Sequence, residues 1–174
     1  MMQHLRKLVA CAALSTAFLL TSSASASAQA TPIANGHIKG GPTIATQTPS
    51  VLDLTFHLVE LPDGSIAGSG KLTKKSADGW IMFDLTSYVY VGDMVLMAGP
   101  VTAQKEGTEE SPWNIGDTFF VVVEDGETPS MDRFIEGRVP SEFGPLTAEQ
   151  ILAFGGPPPP AIFRPALSGN LVIH

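Results

Sequence analysis

The chain has 174 residues, 44% of them apolar, with 17 acidic against 10 basic side chains, a formal net charge of −7 and one cysteine. An acidic chain without a basic cluster repels nucleic acid and anionic lipid, which argues against polyanion-binding roles. One cysteine gives no disulfide framework, so the fold must rest on a hydrophobic core.

The N-terminus has the features of a secretory signal. His4, Arg6 and Lys7 form a basic start, and Leu8 to Leu20 is a 13-residue apolar run. That run is shorter than the ~20 residues a spanning helix needs. Ala28-Gln29-Ala30 fits the small-x-small rule for cleavage before Thr31, with Ala26-Ser27-Ala28 as a second site. Cys11 in "LVAC" resembles a lipoprotein box, but almost no apolar run precedes it. Residues 1–30 are therefore expected to be removed on export to the periplasm or the medium, leaving no stable membrane anchor. The 144 residues that remain hold eight basic and 17 acidic side chains, a net charge of −9, and no cysteine.

Residues 31–50 are rich in Thr, Pro and Gly and nearly uncharged. They read as a loosely ordered, flexible arm with at most one short strand, ahead of a β-domain over 51–174. From Val51 the pattern alternates: Leu52, Leu54, Phe56 and Leu58 on one face, Asp53, Thr55, His57 and Val59 on the other. Leu61 to Ser65, "LPDGS", is a turn, and the next strand completes a hairpin. Its stretch "GSIAGSGKLT", Gly64 to Thr73, looks like a phosphate-binding loop. The spacing fails, because five residues separate Gly64 from Gly70, Leu72 follows Lys71, and no helix comes next. By period two, Ile66, Gly68, Gly70 and Leu72 share a face, where glycines let a neighbour approach closely.

Trp80 to Val91 reads as one strand, with Ile81, Phe83, Leu85, Val89 and Val91 on one face and Met82, Asp84, Thr86, Tyr88 and Tyr90 on the other. Gly92-Asp93 turns the chain into a strand from Met94, where Pro100 demands an edge position or a bulge. Phe119 to Val123 is a continuous apolar run that packs on both faces, and Asp125-Gly126 turns it into a strand ending near Val139. Thr147 and Gln150 have capping-box spacing ahead of Ile151, Leu152 and Phe154, with Gly155-Gly156 as the stop. Pro157 to Pro160 is a stiff connector, and the chain closes on a strand in which Leu167, Leu171 and Ile173 share a face. About seven strands in hairpin order predict an all-β, single-domain antiparallel β-barrel or β-sandwich with one short helix before the last strand.

Few residues carry recognisable chemistry. The histidines after the signal, His37, His57 and His174, lack metal-ligand spacing. Glu124 to Asp132 holds four acids in nine residues but fails the EF-hand spacing, and reads as a solvated hairpin tip. There is no G-x-S-x-G elbow. No catalytic residue, cofactor or metal site is expected. The ligand candidates are His57, Asp53 and Asp84, because His57 shares a strand face with Asp53 and can form an acid–base pair with either carboxylate. Trp80, Tyr88 and Tyr90 offer an aromatic stripe for a sugar or peptide, or a second core face.

The runs "GSGKL…FDLTSYVYVGDMVLMAGPVT", "FFVVVEDGETPSMDRF" and "LSGNLVIH" resemble a group of small secreted bacterial proteins of uncharacterised function. The matching positions are Gly68 and Gly70 of a Gly-x-Gly strand, Gly92, Asp93 and Gly99 of the next motif, Asp125, Gly126, Pro129 and Asp132 of a hairpin, and Gly169, Asn170 and His174 at the end. The resemblance implies a secreted β-domain and no activity. Some such proteins carry a cysteine pair that this chain lacks.

The leading expectation is an exported non-catalytic domain that binds a small ligand, a glycan or a protein partner, and no nucleic acid. A small secreted isomerase, cyclase or hydrolase is the alternative, as is a structural surface protein that associates through strand edges. The first two differ in whether His57 points into a cavity. Exported protein should begin at Thr31. Intact-mass analysis checks this: a start at Gln29 would move the cleavage to Ala28, and a retained Met1 would end the export reading.

Overall fold

The computed structural model describes residues 29–42, 50–107 and 113–174. The expected signal segment through Ala28, part of the expected arm (43–49) and the acids Glu109 and Glu110 lie outside the described residues. The described residues form nine strands: β1 (Thr31–Gly40), β2 (Leu52–Glu60), β3 (Ile66–Lys74), β4 (Gly79–Leu85), β5 (Ser87–Val91), β6 (Met94–Lys105), β7 (Thr118–Glu124), β8 (Arg133–Val139) and β9 (Arg164–Ile173). One helix, α1 (Ala148–Gly155), precedes β9. All pairings are antiparallel, in the order β4-β3-β2-β1-β9-β8-β7-β6-β5, and a further β4–β6 pairing closes the sheet into a ring.

Two strands beyond the expected seven come from identifiable causes. The first ten residues of the expected arm form β1, paired with β2 on one side and β9 on the other. Its core residues are Ile33, Ala34 and Ile38, and from Gly36 onward the inward positions are Gly36, Ile38 and Gly40; the bulge at Pro32/Ala34 and the two glycines break the apolar alternation that marks a strand. The glycines serve close approach: a Cβ on Gly36 would lie 2.5 Å from Leu171, and one on Gly40 would lie 2.5 Å from the Phe134 ring. The second extra strand arises where "WIMFDLTSYVYV" breaks in two. Between the Phe83–Val101 and Ser87–Ala98 pairs, β4/β5 spends one residue more than β6. That bulge reverses the alternation, so Tyr88 packs with the interior and Val89 with the exterior cluster, contrary to the single face expected. Pro100 sits at this bulge within an internal strand, not at an edge.

The ring interior is filled by side chains, among them Leu54, Phe56, Leu58, Phe83, Met97, Phe119, Val121 and Phe134. Phe83 stacks on Phe119 with centroids 3.9 Å apart. Gly70 makes room for this stack, since a Cβ there would lie 2.5 Å from the Phe83 ring. The phosphate-loop look of this stretch is thus a packing requirement. β6 and β7 are buried on both faces, because α1 and Phe163 cover Leu96, Ala98 and Val122 from outside. The capping box forms as spaced: the Thr147 amide donates to Gln150 Oε1 at 2.8 Å, and the Gln150 amide donates to Thr147 Oγ1 at 3.4 Å. Phe154, expected on the apolar face, is 82% exposed; Ala148, Ile151 and Leu152 do the packing.

The seam between β8 and β9 has only two residue pairs. Side chains complete it. The Asp132 carboxylate, 1% exposed, accepts from the Leu171 amide at 2.7 Å and the Gly126 amide at 3.0 Å. Asp125 accepts from the Ile173 amide at 3.2 Å. The acidic hairpin is therefore partly a structural clamp, where a solvated tip was expected. At the other end of the seam Arg164, 1% exposed, donates to both Glu136 oxygens and to the carbonyls of Gly41 (3.0 Å) and Ser50 (3.2 Å). A bulge at Lys39/Gly40 leaves Leu167 outside and 56% exposed, whereas Leu171 and Ile173 pack inward as expected.

Two predictions follow from this packing. Gly70→Val should lose about 1–3 kcal/mol by overpacking against Phe83 and Thr55, while Lys71→Ala, which removes an exposed stem over Trp80, should stay within about 1 kcal/mol. Denaturant midpoints of the two variants give the comparison, and a more damaging Lys71→Ala would reverse the inward and outward assignment. Arg164→Ala should lose about 3–5 kcal/mol by stranding Glu136, and Arg164→Met with Glu136→Leu should recover most of it. Thermal and denaturant unfolding read both.

Candidate ligand-binding surface

The exterior of β2, β1 and β9 is an uncovered polar face. Because inward positions of β1 are Gly36, Ile38 and Gly40, its outward positions are Asn35, His37 and Lys39. The register sets their neighbours. Asn35 lies between His57 of β2 and Val172 of β9, and His37 lies between Thr55 and Asn170.

Asp53, one rung along, joins His37: His37 Nε2 is 2.6 Å from Asp53 Oδ1, and Lys75 Nζ is 3.3 Å from Asp53 Oδ2. Burial pushes the Asp53 carboxyl up, but the hydrogen bonds and charges of His37 and Lys75 outweigh it and hold the group below the ordinary aspartate value. Asn35 Nδ2 lies 3.0 Å from Nε2 of His174. The Tyr90 hydroxyl donates to the His174 carbonyl at 3.0 Å, and Tyr90 meets Tyr88 edge-on with centroids 5.6 Å apart. The Tyr88 hydroxyl is pushed up by burial and by the nearby Glu60 and Tyr90 charges. Asn35 thus links β1 to the end of β9, and His174 links that end to β5.

A shallow groove of about 480 Å³ opens on this face, lined by Asn35, Gly36, His37, Phe56, Gly169 and Asn170. Its floor is the backbone of Gly36 and Gly169, between the outward side chains of Asn35, His37 and Asn170. Gly169 has φ +113°, and a Cβ there would collide with the His37 carbonyl.

The three sequence candidates fall on the outside of the ring. His57 is exposed on β2; Ser69 of β3 stands opposite it, and Asp84 of β4 stands opposite Ser69. This rung of Asn35, His57, Ser69 and Asp84 spans four strands, but no hydrogen bond joins His57 to Asp53 or Asp84 among the described residues. Asp53 is engaged by His37 instead. Sequence reading missed His37, Asn35 and Asn170, because the strands that align them lie far apart in the chain. Among the described residues, no group of three or more His, Cys, Asp or Glu side chains is arranged to hold a metal ion.

No protein-family model, curated protein or solved structure matches this chain.

The Asp53 carboxyl should titrate below the ordinary aspartate value in a carbon-detected NMR titration, and His37→Ala should raise its midpoint. The lowered value means the charged form is favoured in the fold. The contact's contribution is therefore complete above the unfolded-state value of about 3.9 and is lost as pH falls through the folded-state value. An unmoved midpoint in His37→Ala would assign the effect to Lys75 alone.

Proposed function

We propose that this chain is an exported, non-catalytic β-domain that binds a small ligand, a glycan or a protein partner on the outer face of β2, β1 and β9. One observation carries the reading. The ring interior is packed with apolar side chains, while the outer face presents an open groove whose polar groups are tied to one another across strands. Groups held in place before a ligand arrives lose little conformational freedom on binding. The N-terminal signal features and the resemblance to small secreted proteins support export.

A secreted hydrolase is the second reading, favoured by Ser69 standing between His57 and Asp84 on one rung. A nucleophile and base at neighbouring positions are what such chemistry needs, although this rung lies on an exposed sheet face.

Two measurements on residues 31–174 separate them. Thermal-shift screening with sugars, amino acids and short peptides should find a binder, which at 100 times its dissociation constant adds roughly 2.7 kcal/mol. Its amide shift changes should centre on Asn35, His37 and Asn170. A fluorophosphonate probe should leave the mass unchanged; adduct formation at Ser69 would replace the binding reading with the hydrolase.

A further inference from the structure

We infer that the groove between β1 and β9 recognises a neutral polyhydroxylated ligand, such as the end of an oligosaccharide. This rests on the binding reading and adds the ligand class.

The backbone is the first constraint. β1 is paired through most of its length with β2 and through Ala34–Gly40 with β9, so its amides and carbonyls are committed on both sides. An extended peptide cannot add here as another strand. Recognition falls to side chains.

Those side chains select the chemistry. Asn35 and Asn170 present uncharged amides, and His37 presents an imidazole whose Nε2 is taken by Asp53. Asn35 uses its Nδ2 toward His174, and Asn170 uses its Nδ2 toward the Leu171 carbonyl. Among the described residues neither amide oxygen has a partner, so each is an acceptor available to a ligand donor. Hydroxyl groups both donate and accept, and so match amide oxygens beside an imidazole. Among the described residues lining the groove there is no Lys or Arg, and the −9 charge of residues 31–174 repels anions. Apolar ligands find little to cover, since the floor is glycine backbone and Phe56 is only 4% exposed.

The shape agrees with the end of a sugar chain. A shallow groove leaves most of a ligand in solvent, which suits a chain end whose hydroxyls meet two amide oxygens and an imidazole.

The test uses residues 31–174 on an array of neutral and of acidic (sialylated, uronic and sulfated) oligosaccharides. NMR titration with the best-retained glycan then follows on the unaltered protein. Neutral glycans should be retained and acidic ones not, with shift changes at Asn35, His37 and Asn170. Asn35→Ala with Asn170→Ala should weaken retention at least tenfold, with circular dichroism and melting confirming the fold. Retention of acidic glycans alone, no retention of any glycan, or shifts confined to another face would overturn the inference. A peptide or small acid that shifts the same groove amides would sink the sugar assignment and leave the binding reading standing. If no probe of any class moves those amides, both fall.

Discussion

The buried pair of Arg164 and Glu136 stands where the backbone ladder of the ring runs out. An antiparallel ring leaves no open edge only if the amides and carbonyls at its last seam find partners. Between β8 and β9 only two residue pairs do this directly. Arg164 supplies donors to the carbonyls of Gly41 and Ser50, while Asp132 and Asp125 supply acceptors to amides of β9. A buried ion pair adds little net stability over an apolar replacement, but removing one partner leaves a charge without compensation. The closure of the ring therefore depends on a few polar side chains near its least-paired strands.

That closure decides where function can sit. A small ring has an interior only as wide as the side chains that fill it. Here aromatic and branched residues fill it, and glycines at Gly36, Gly40 and Gly70 are what allow large neighbours to fit. Outside, the groove runs over the backbone of Gly36 and Gly169 between the outward Asn35, His37 and Asn170. Strand alternation thus assigns packing to the inner face and the polar groups to the outer one.

The electrostatics of the outer face follow the same economy. Asp53 is answered by His37 and Lys75, which leaves uncharged amides as the main free groups of the groove. Elsewhere Asp117, 1% exposed, is pushed up by burial but held below the ordinary value by the amides of Asn114 and Ser141 and by Arg138. Asp132 and Glu136 are likewise spent on structure. A strongly acidic composition thus coexists with a locally uncharged groove.

Period-two alternation in "LDLTFHL", the apolar run at Phe119 to Val123 and the capping box at Thr147 determined the strands, the doubly buried wall and the helix from the sequence alone. These are local patterns, set by which face of a residue meets water. The sequence left β1 as one short strand in a loose arm, because a bulge and two glycines interrupt its apolar alternation, and it did not disclose the reversal at Thr86, where a one-residue bulge depends on a partner strand. It pointed to His57, Asp53 and Asp84 as a set, whereas the fold pairs Asp53 with His37 and places Asn170 opposite His37. The groove draws on β1, β2 and β9, so only the register of strands up to 139 residues apart could bring Asn35 to His174. Neighbourhood across a sheet is a property of pairing, and pairing is settled by the closure of the whole ring.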